Sequence, residues 1–321
     1  MSKPRILCML DPSSVKKFVG DLEAIADVDI EAPDRTKLLE VVSQYDALWI
    51  HVEQRIDKEV FEQASRLKVI NTASTGTDHI DVEEADRRGI RVLSITKDYG
   101  LLDQFTATAE CAWMLLMASC RHLRAASGHV LEGGWDAPRF IGQQLSNMTL
   151  GVLGTGRLGG MVCRFGPAFR MRVLGCDLKP FDLPDVEQVD FDTLLASSDA
   201  ISIHIHMLRE NYHLFNEDVF DRMKPGAVLV NTSRGDIIDE TALLKALESG
   251  QLAAFGTDVL HNEWRSDMRE SPVVRYAQEH DNVLITPHFG GASPFSIDEA
   301  RRFAARKLAH YLKTGEELTM P

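Results

Sequence analysis

Leu150-Gly151-Val152-Leu153-Gly154-Thr155-Gly156-Arg157-Leu158-Gly159 is an apolar strand that runs straight into G-x-G-x-x-G. A helical pattern opens directly behind it. In that setting the first glycine makes a tight turn, the second lets the backbone approach a pyrophosphate, and the third lets helix and strand pack closely. The helix N-terminus then turns unpaired N–H groups toward the phosphates. The next strand, 172–176, ends beside Asp177, eighteen residues beyond Gly159. A carboxylate there accepts from both ribose hydroxyls and repels a 2′-phosphate, which favours NAD over NADP.

Working outward, short apolar strands alternate with amphipathic helices along the whole chain. Residues 5–10, 47–51, 69–73 and 91–95 read as strands, with helices near 58–65 and 82–88. A second series of strands occupies 150–153, 172–176, 200–204, 227–231, 254–258 and 283–286. Alternation of this kind predicts α/β architecture with two doubly wound parallel-sheet domains. A long apolar helix over 108–123 lies between the two series, and a last helix covers 294–313. Trp113, Met114 and Met117 follow helical spacing and read as core or interface.

The bulk properties exclude several function classes. The 321 residues carry a net charge of −13. An acidic surface repels phosphate backbones and anionic lipid, so neither nucleic acid nor a membrane is expected as partner. Cys8, Cys111, Cys120, Cys163 and Cys176 show neither C-x-x-C nor zinc-ligand spacing, so no metal is expected. An odd, scattered set of thiols reads as reduced and cytoplasmic. The apolar run 6–10 is stopped by Asp11 and Pro12 and is too short for a leader or a span.

Four polar residues fall at consecutive strand ends in the second half: Arg234, Asp258, Glu263 and His288. In an open α/β sheet, ligands bind beyond the carboxyl ends of the strands. Reduction of a 2-keto acid needs a hydride on the carbonyl carbon and a proton on its oxygen. A histidine supplies that proton near neutral pH, and a neighbouring carboxylate fixes its tautomer and supports its cationic form. An arginine forks onto the substrate carboxylate and polarises the keto oxygen. Asp258 is placed to hold the nicotinamide carboxamide. Each residue alone reads equally well as a cap or a solvated charge; the set of four points to chemistry.

These residues resemble the D-isomer-specific 2-hydroxyacid dehydrogenase family, which includes D-3-phosphoglycerate and D-lactate dehydrogenases. The likeness is densest over 150–159, over 223–239 (MKPGAVLVNTSRGDIID) and over 286–293 (TPHFGGAS); STGTDHID at 74–81 resembles the family's substrate loop. The resemblance implies Arg234, Glu263 and His288 as the catalytic set. It implies Thr75, Gly154, Gly156, Arg157, Leu158, Gly159, Asp177, His204, Thr232, Ser233, Asp258 and Gly290 as cofactor contacts. Ser74, Thr75 and Gly76, with Arg234, would hold the substrate. It also implies a Rossmann NAD domain over 102–291, a discontinuous flavodoxin-like substrate domain over 1–101 and 292–321, a homodimer, and a small 2-hydroxy or 2-keto acid as substrate.

The chain departs from the family at four places. His204-Ile205-His206 stands where His-x-Pro is usual, so His206 either touches the adenine edge or caps a loop. Asp258-Val259-Leu260-His261-Asn262-Glu263-Trp264-Arg265 replaces the usual acidic, proline-bearing run. His51-Val52-Glu53-Gln54-Arg55 lacks the Arg-Ser-x-Thr of phosphoglycerate enzymes, which argues against a phosphorylated substrate. Leu101-Leu102-Asp103-Gln104 replaces a Gly-Asn turn. By position, His51, Arg55, Leu101, Leu102, Trp264 and Arg265 are candidates for selectivity. Two alternatives share the fold: an NAD-sensing binding protein, which has no use for a proton donor, and a formate- or phosphite-dehydrogenase-like enzyme. Formate enzymes pair the histidine with glutamine, so Glu263 favours keto-acid chemistry.

Overall fold

The computed structural model describes residues 3–264 and 267–321. It separates into two compact units, Met1–Phe105 with Ser293–Pro321, and Thr106–Ala292.

The first unit holds five parallel strands: β1 (Arg5–Cys8), β2 (Asp27–Ile30), β3 (Ala47–Ile50), β4 (Val69–Thr72) and β5 (Arg91–Leu93), ordered β2-β1-β3-β4-β5. That is the flavodoxin-type order. β1, β3 and β4 are apolar almost throughout because helices cover both sheet faces, as crossover connections require. One face packs Ile6, Trp49 and Val69 against Ala304, Ala305 and Leu308 of the last helix, Pro294–Thr314. The other packs Leu7, Leu48 and Ile70 against Phe61 and Val60. Ser293 caps the last helix through Ser296 N, and Gly315 ends it at φ +76°.

The second unit holds seven parallel strands: β6 (Thr149–Leu153), β7 (Arg172–Cys176), β8 (Val186–Gln188), β9 (Ala200–Ile203), β10 (Ala227–Asn231), β11 (Leu252–Thr257) and β12 (Val283–Ile285). Their order, β12-β11-β10-β9-β6-β7-β8, reverses direction between β6 and β9. This is the Rossmann winding, and its switch point is where ligands bind. Helix Ala107–Cys120 lies in the core beside β10 and β11, which explains why it is apolar on nearly every side.

The expected elements need correction, and several strands end a residue or two earlier than expected. β2 and β8 are absent from the expected strands. Both are edge strands, and their sequences, DVDI and VEQ, carry the charges that edges tolerate. The helix expected over 108–123 ends at Cys120, because His122 takes a left-handed conformation (φ +50°) and a second helix, Leu123–Leu131, starts there. β12 stops at Ile285, one residue short of the expected 286, and Pro287 offers no N–H to carry the ladder further. β5 stops at Leu93.

Candidate active site

The three glycines of the β6 turn serve three separate geometric needs. Gly154 has φ +86°, donates to Cys176 O at 2.8 Å, and a Cβ there would lie 2.6 Å from His204 O. Gly159 packs so tightly on the Gly154 carbonyl that a Cβ would overlap it. Gly156, between them, faces open space: a Cβ there would meet nothing within 4 Å. It is also the N-cap of helix Arg157–Ala168 and makes no side-chain cap of its own. The helix therefore turns its N-terminus toward an open face, a geometry that accepts phosphate.

Asp177 follows β7 and turns back to this loop. Its Oδ2 accepts from Thr155 N at 2.7 Å and Thr155 Oγ1 at 3.3 Å, and its Oδ1 accepts from Lys179 N at 3.2 Å. His204 closes the other side at the end of β9. Its Nε2 lies 2.8 Å from Ser202 Oγ, and burial pushes its imidazole down to about 4. It is therefore uncharged at neutral pH. His206 is exposed, and its carbonyl accepts from Asn211 Nδ2 at 2.7 Å.

Arg234 stands in the turn after β10, and the fully buried Asn231 builds that turn. Asn231 Nδ2 donates to Arg234 O at 2.9 Å, and its Oδ1 accepts from Ser233 N at 2.9 Å. Ser233 Oγ donates to Ile203 O at 2.8 Å, which ties the turn to β9. Asn231 went unassigned in the sequence; its only signal there is a buried amide next to a strand end. Thr232 is buried, and its Oγ1 has no hydrogen-bond partner. An unpaired buried hydroxyl costs free energy unless a ligand completes it.

Asp258 follows β11 directly and is 3% exposed. Its Oδ1 accepts from Thr286 Oγ1 at 2.5 Å and Phe289 N at 3.0 Å, and its Oδ2 from Gly290 N at 2.7 Å. The loop after β12 is thus wrapped around one carboxylate. That loop holds His288 in a left-handed conformation, φ +51°. His288 Nδ1 lies 2.6 Å from Glu263 Oε1, and Glu263 Oε2 accepts from Leu260 N at 3.2 Å. The Trp264 ring stacks beside the imidazole, with centroids 6.0 Å apart. Gly235 lets the Arg234 turn press against the Leu260–His261 backbone, where a Cβ would overlap it. His261 then pairs with Asp236 across the same seam.

Arg234, Asp258, Glu263 and His288 thus gather at the carboxyl ends of the adjacent strands β10, β11 and β12. The glycine turn, Asp177, His204, Thr232, Ser233 and Gly290 lie at the same end of the sheet. Ser74, Thr75 and Gly76 follow β4 in the first unit, where Ser74 Oγ donates to Gly76 O at 2.6 Å. Of the selectivity candidates, Leu101 and Leu102 are core residues, His51 is half-buried with its imidazole pushed down by burial, and Trp264 is exposed. Arg265 lies outside the described residues.

A dinucleotide turn at the switch point of a Rossmann sheet, with an imidazole–carboxylate pair and an arginine at the same strand ends, defines an NAD-dependent oxidoreductase. Residues 113–290 match the family model described as D-isomer specific 2-hydroxyacid dehydrogenase, NAD binding domain. A glyoxylate reductase of Thermococcus litoralis is 37% identical over 300 residues, covering 89% of this chain and 86% of that one. A hydroxypyruvate reductase of Thermotoga maritima is 34% identical over 269 residues, covering 83% and 85%. The crystal structure of a D-lactate dehydrogenase from Aquifex aeolicus, complexed with NAD and lactic acid, superposes with a TM-score of 0.86 at 26% identity, over 99% of each chain. The chain belongs to the D-isomer-specific 2-hydroxyacid dehydrogenase family, whose chemistry is the NAD-dependent interconversion of 2-hydroxy and 2-keto acids. Among the described residues, no helix is long and apolar enough to cross a membrane.

Proposed function

We propose that the chain reduces a small, unphosphorylated 2-keto acid of the glyoxylate or hydroxypyruvate type to the corresponding 2-hydroxy acid, the D form where C2 is a stereocentre, using NADH. The observation that carries this reading is the 2.6 Å contact of His288 with Glu263 beside the Arg234 turn. The names of the relatives support the substrate size.

NADH, when bound, supplies the hydride to the carbonyl carbon. Gly154, Gly156 and Gly159, with the amides of Arg157 and Leu158, hold its pyrophosphate, and Asp177 its ribose. Thr232, Ser233, Asp258 and Gly290 line its nicotinamide end, with Thr75 and His204 as further contacts. Glu263 occupies His288 Nδ1, so Nε2 is the nitrogen that works on substrate. His288 gives the Nε2 proton to the keto oxygen as the carbonyl is reduced, and Glu263 supports the imidazolium before transfer. Arg234 forks onto the substrate carboxylate and draws density from the keto oxygen. Ser74, Thr75 and Gly76 of the first unit serve as substrate contacts through their amides, which makes that unit the substrate domain.

A homodimer built on the second unit completes this reading. Helix Leu123–Leu131 buries none of its side chains, yet Leu123 and Leu131 are exposed on it and Trp135, 90% exposed, follows. An apolar surface of this kind calls for a partner. The cytoplasm is the proposed compartment, in keeping with five unpaired thiols.

The test is NADH oxidation by the purified protein against small, acidic, aromatic and phosphorylated 2-keto acids, with Arg234→Ala as control. Turnover of a small keto acid that vanishes in the control is expected. Preference for a phosphorylated or bulky acid, or NADH binding without any turnover, overturns the reading.

A further inference from the structure

The Ser74–Gly76 loop is held from behind by the segment that follows β5. Ile95 N donates to Ser74 O at 3.2 Å, and Thr96 Oγ1 donates to Thr75 O at 2.6 Å. Ser94 Oγ lies 2.9 Å from Thr96 Oγ1. Residues 94–98 therefore form a bracket in which the Ile95 amide and the Thr96 hydroxyl grip the two carbonyls of the loop, and the Ser94 hydroxyl supports that of Thr96. When those carbonyls are fixed, the direction of the neighbouring amides is fixed too, because each peptide unit is planar.

The bracket is itself fastened to the interior by one lysine. Lys307, on the last helix, has no exposed surface, and its ammonium lies 5.6 Å from the centroid of the Phe303 ring. Its ammonium donates to Ser94 O at 2.7 Å and to Asp98 Oδ2 at 2.6 Å, and lies 3.1 Å from Glu317 Oε1. Three partners match the three donors of an ammonium. Asp98 is also fully buried; its Oδ1 accepts from Met320 N at 2.9 Å, and Met320 O accepts from Gly100 N at 3.1 Å. Glu317 pairs with Arg91 as well. The last helix and the strand of chain after it are thus strapped to residues 91–100.

Removing an ammonium and a carboxylate from water costs several kcal/mol each, and an apolar pair of similar volume often stabilises a fold as well. What the ion pair adds over an apolar pair is direction. Its donors fix the Ser94 carbonyl and the Asp98 carboxylate in space, where methyl groups would only fill volume. We infer that Lys307 is a positioning residue for the substrate: through Ser94 and Thr96 it sets the orientation of the Thr75 and Gly76 amides, which share peptide planes with the two gripped carbonyls. The inference rests on the reading, proposed above, that those amides contact the substrate.

Lys307→Met alone leaves the buried Asp98 carboxylate without its cation, while Glu317 keeps Arg91, and endangers folding. The informative variant is Lys307→Met/Asp98→Asn, which removes both buried charges and keeps an acceptor for Met320. Thr96→Val removes the hydroxyl grip on Thr75 O at a solvent-exposed position and leaves the Ile95 amide in place, and Thr75→Pro deletes an amide of the loop itself. KM for the keto acid, kcat, NADH affinity by fluorescence, and Tm are measured for each. The expected result is a KM raised roughly tenfold in the Lys307→Met/Asp98→Asn and Thr96→Val proteins, with NADH affinity unchanged. Combining them should raise KM little further, since both act on one bracket. A KM unmoved in the folded Lys307→Met/Asp98→Asn protein, while Thr75→Pro raises it, overturns the inference and spares the loop reading. A KM unmoved in all of them removes the loop reading and the inference with it.

Discussion

The Asp258 carboxylate accepts from Thr286, Phe289 and Gly290, and so encloses His288 between its own hydrogen bonds. His288 N also donates to Asp258 O at 2.9 Å. The left-handed backbone of His288 is held by these contacts; a non-glycine residue rarely adopts it without such support. The proposed role of Asp258 at the nicotinamide and its role as anchor of this loop are compatible, since a carboxylate offers about four lone-pair sites.

Asp258→Asn should therefore loosen the His288 loop. An amide nitrogen would face N–H groups that need acceptors, at a cost of about 1–3 kcal/mol. The expected outcome is a modestly lowered Tm and a kcat lowered by roughly tenfold or more, since proton donation depends on placement. Unchanged kcat would show that the loop holds His288 without this carboxylate.

Gly156 and Gly159 should respond differently to the same change. Gly159→Ala drives a methyl group into the Gly154 carbonyl, and overpacking of this kind costs about 1–3 kcal/mol. Gly156→Ala meets no protein atom, so its Tm should stay near the parent value while NADH affinity falls, because the methyl fills the space left for the pyrophosphate. Calorimetry and NADH fluorescence separate the two. Equal loss of Tm in both would contradict the assignment.

Asp177→Ala should weaken discrimination against NADPH by removing the carboxylate that repels a 2′-phosphate. It also removes the acceptor of Thr155 N, so affinity for both cofactors is expected to drop. The quantity to compare is the ratio of kcat/KM for NADH over NADPH. A ratio equal to the parent's would place the ribose elsewhere.

His204 predicts an acid-side loss of stability. Its folded value is about 4 against a usual 6.5, because burial disfavours the imidazolium. Between those values the unfolded chain binds a proton that the folded chain does not, so unfolding is favoured as pH falls. The contribution is absent above about 6.5 and complete near 4, at no more than about 3 kcal/mol. Denaturant unfolding of the parent and of His204→Gln at neutral pH and at about pH 4.5 measures it. The variant should lose less stability than the parent; parallel losses would assign the acid sensitivity to other groups.

The amino-acid sequence by itself determined the architecture. β1, β3, β6, β9 and β10 are legible because strands buried on both faces must be apolar at every position. The dinucleotide turn is legible because Gly154 and Gly159 meet local steric demands that only glycine satisfies and Gly156 completes their spacing, and Arg234, Asp258 and His288 are noticeable as polar residues following such strands. β2 and β8 escaped because an edge needs no continuous apolar run. Tertiary structure alone decided how the site is held. Lys307 with Asp98, Asp236 with His261, and Asn231 with the Arg234 backbone are polar contacts whose partners are set by packing. In the sequence, each of these residues reads as a solvated charge or a turn. Local patterning fixes which face of an element is buried. Which buried polar group meets which partner depends on how whole elements pack, and no short window of sequence contains that information.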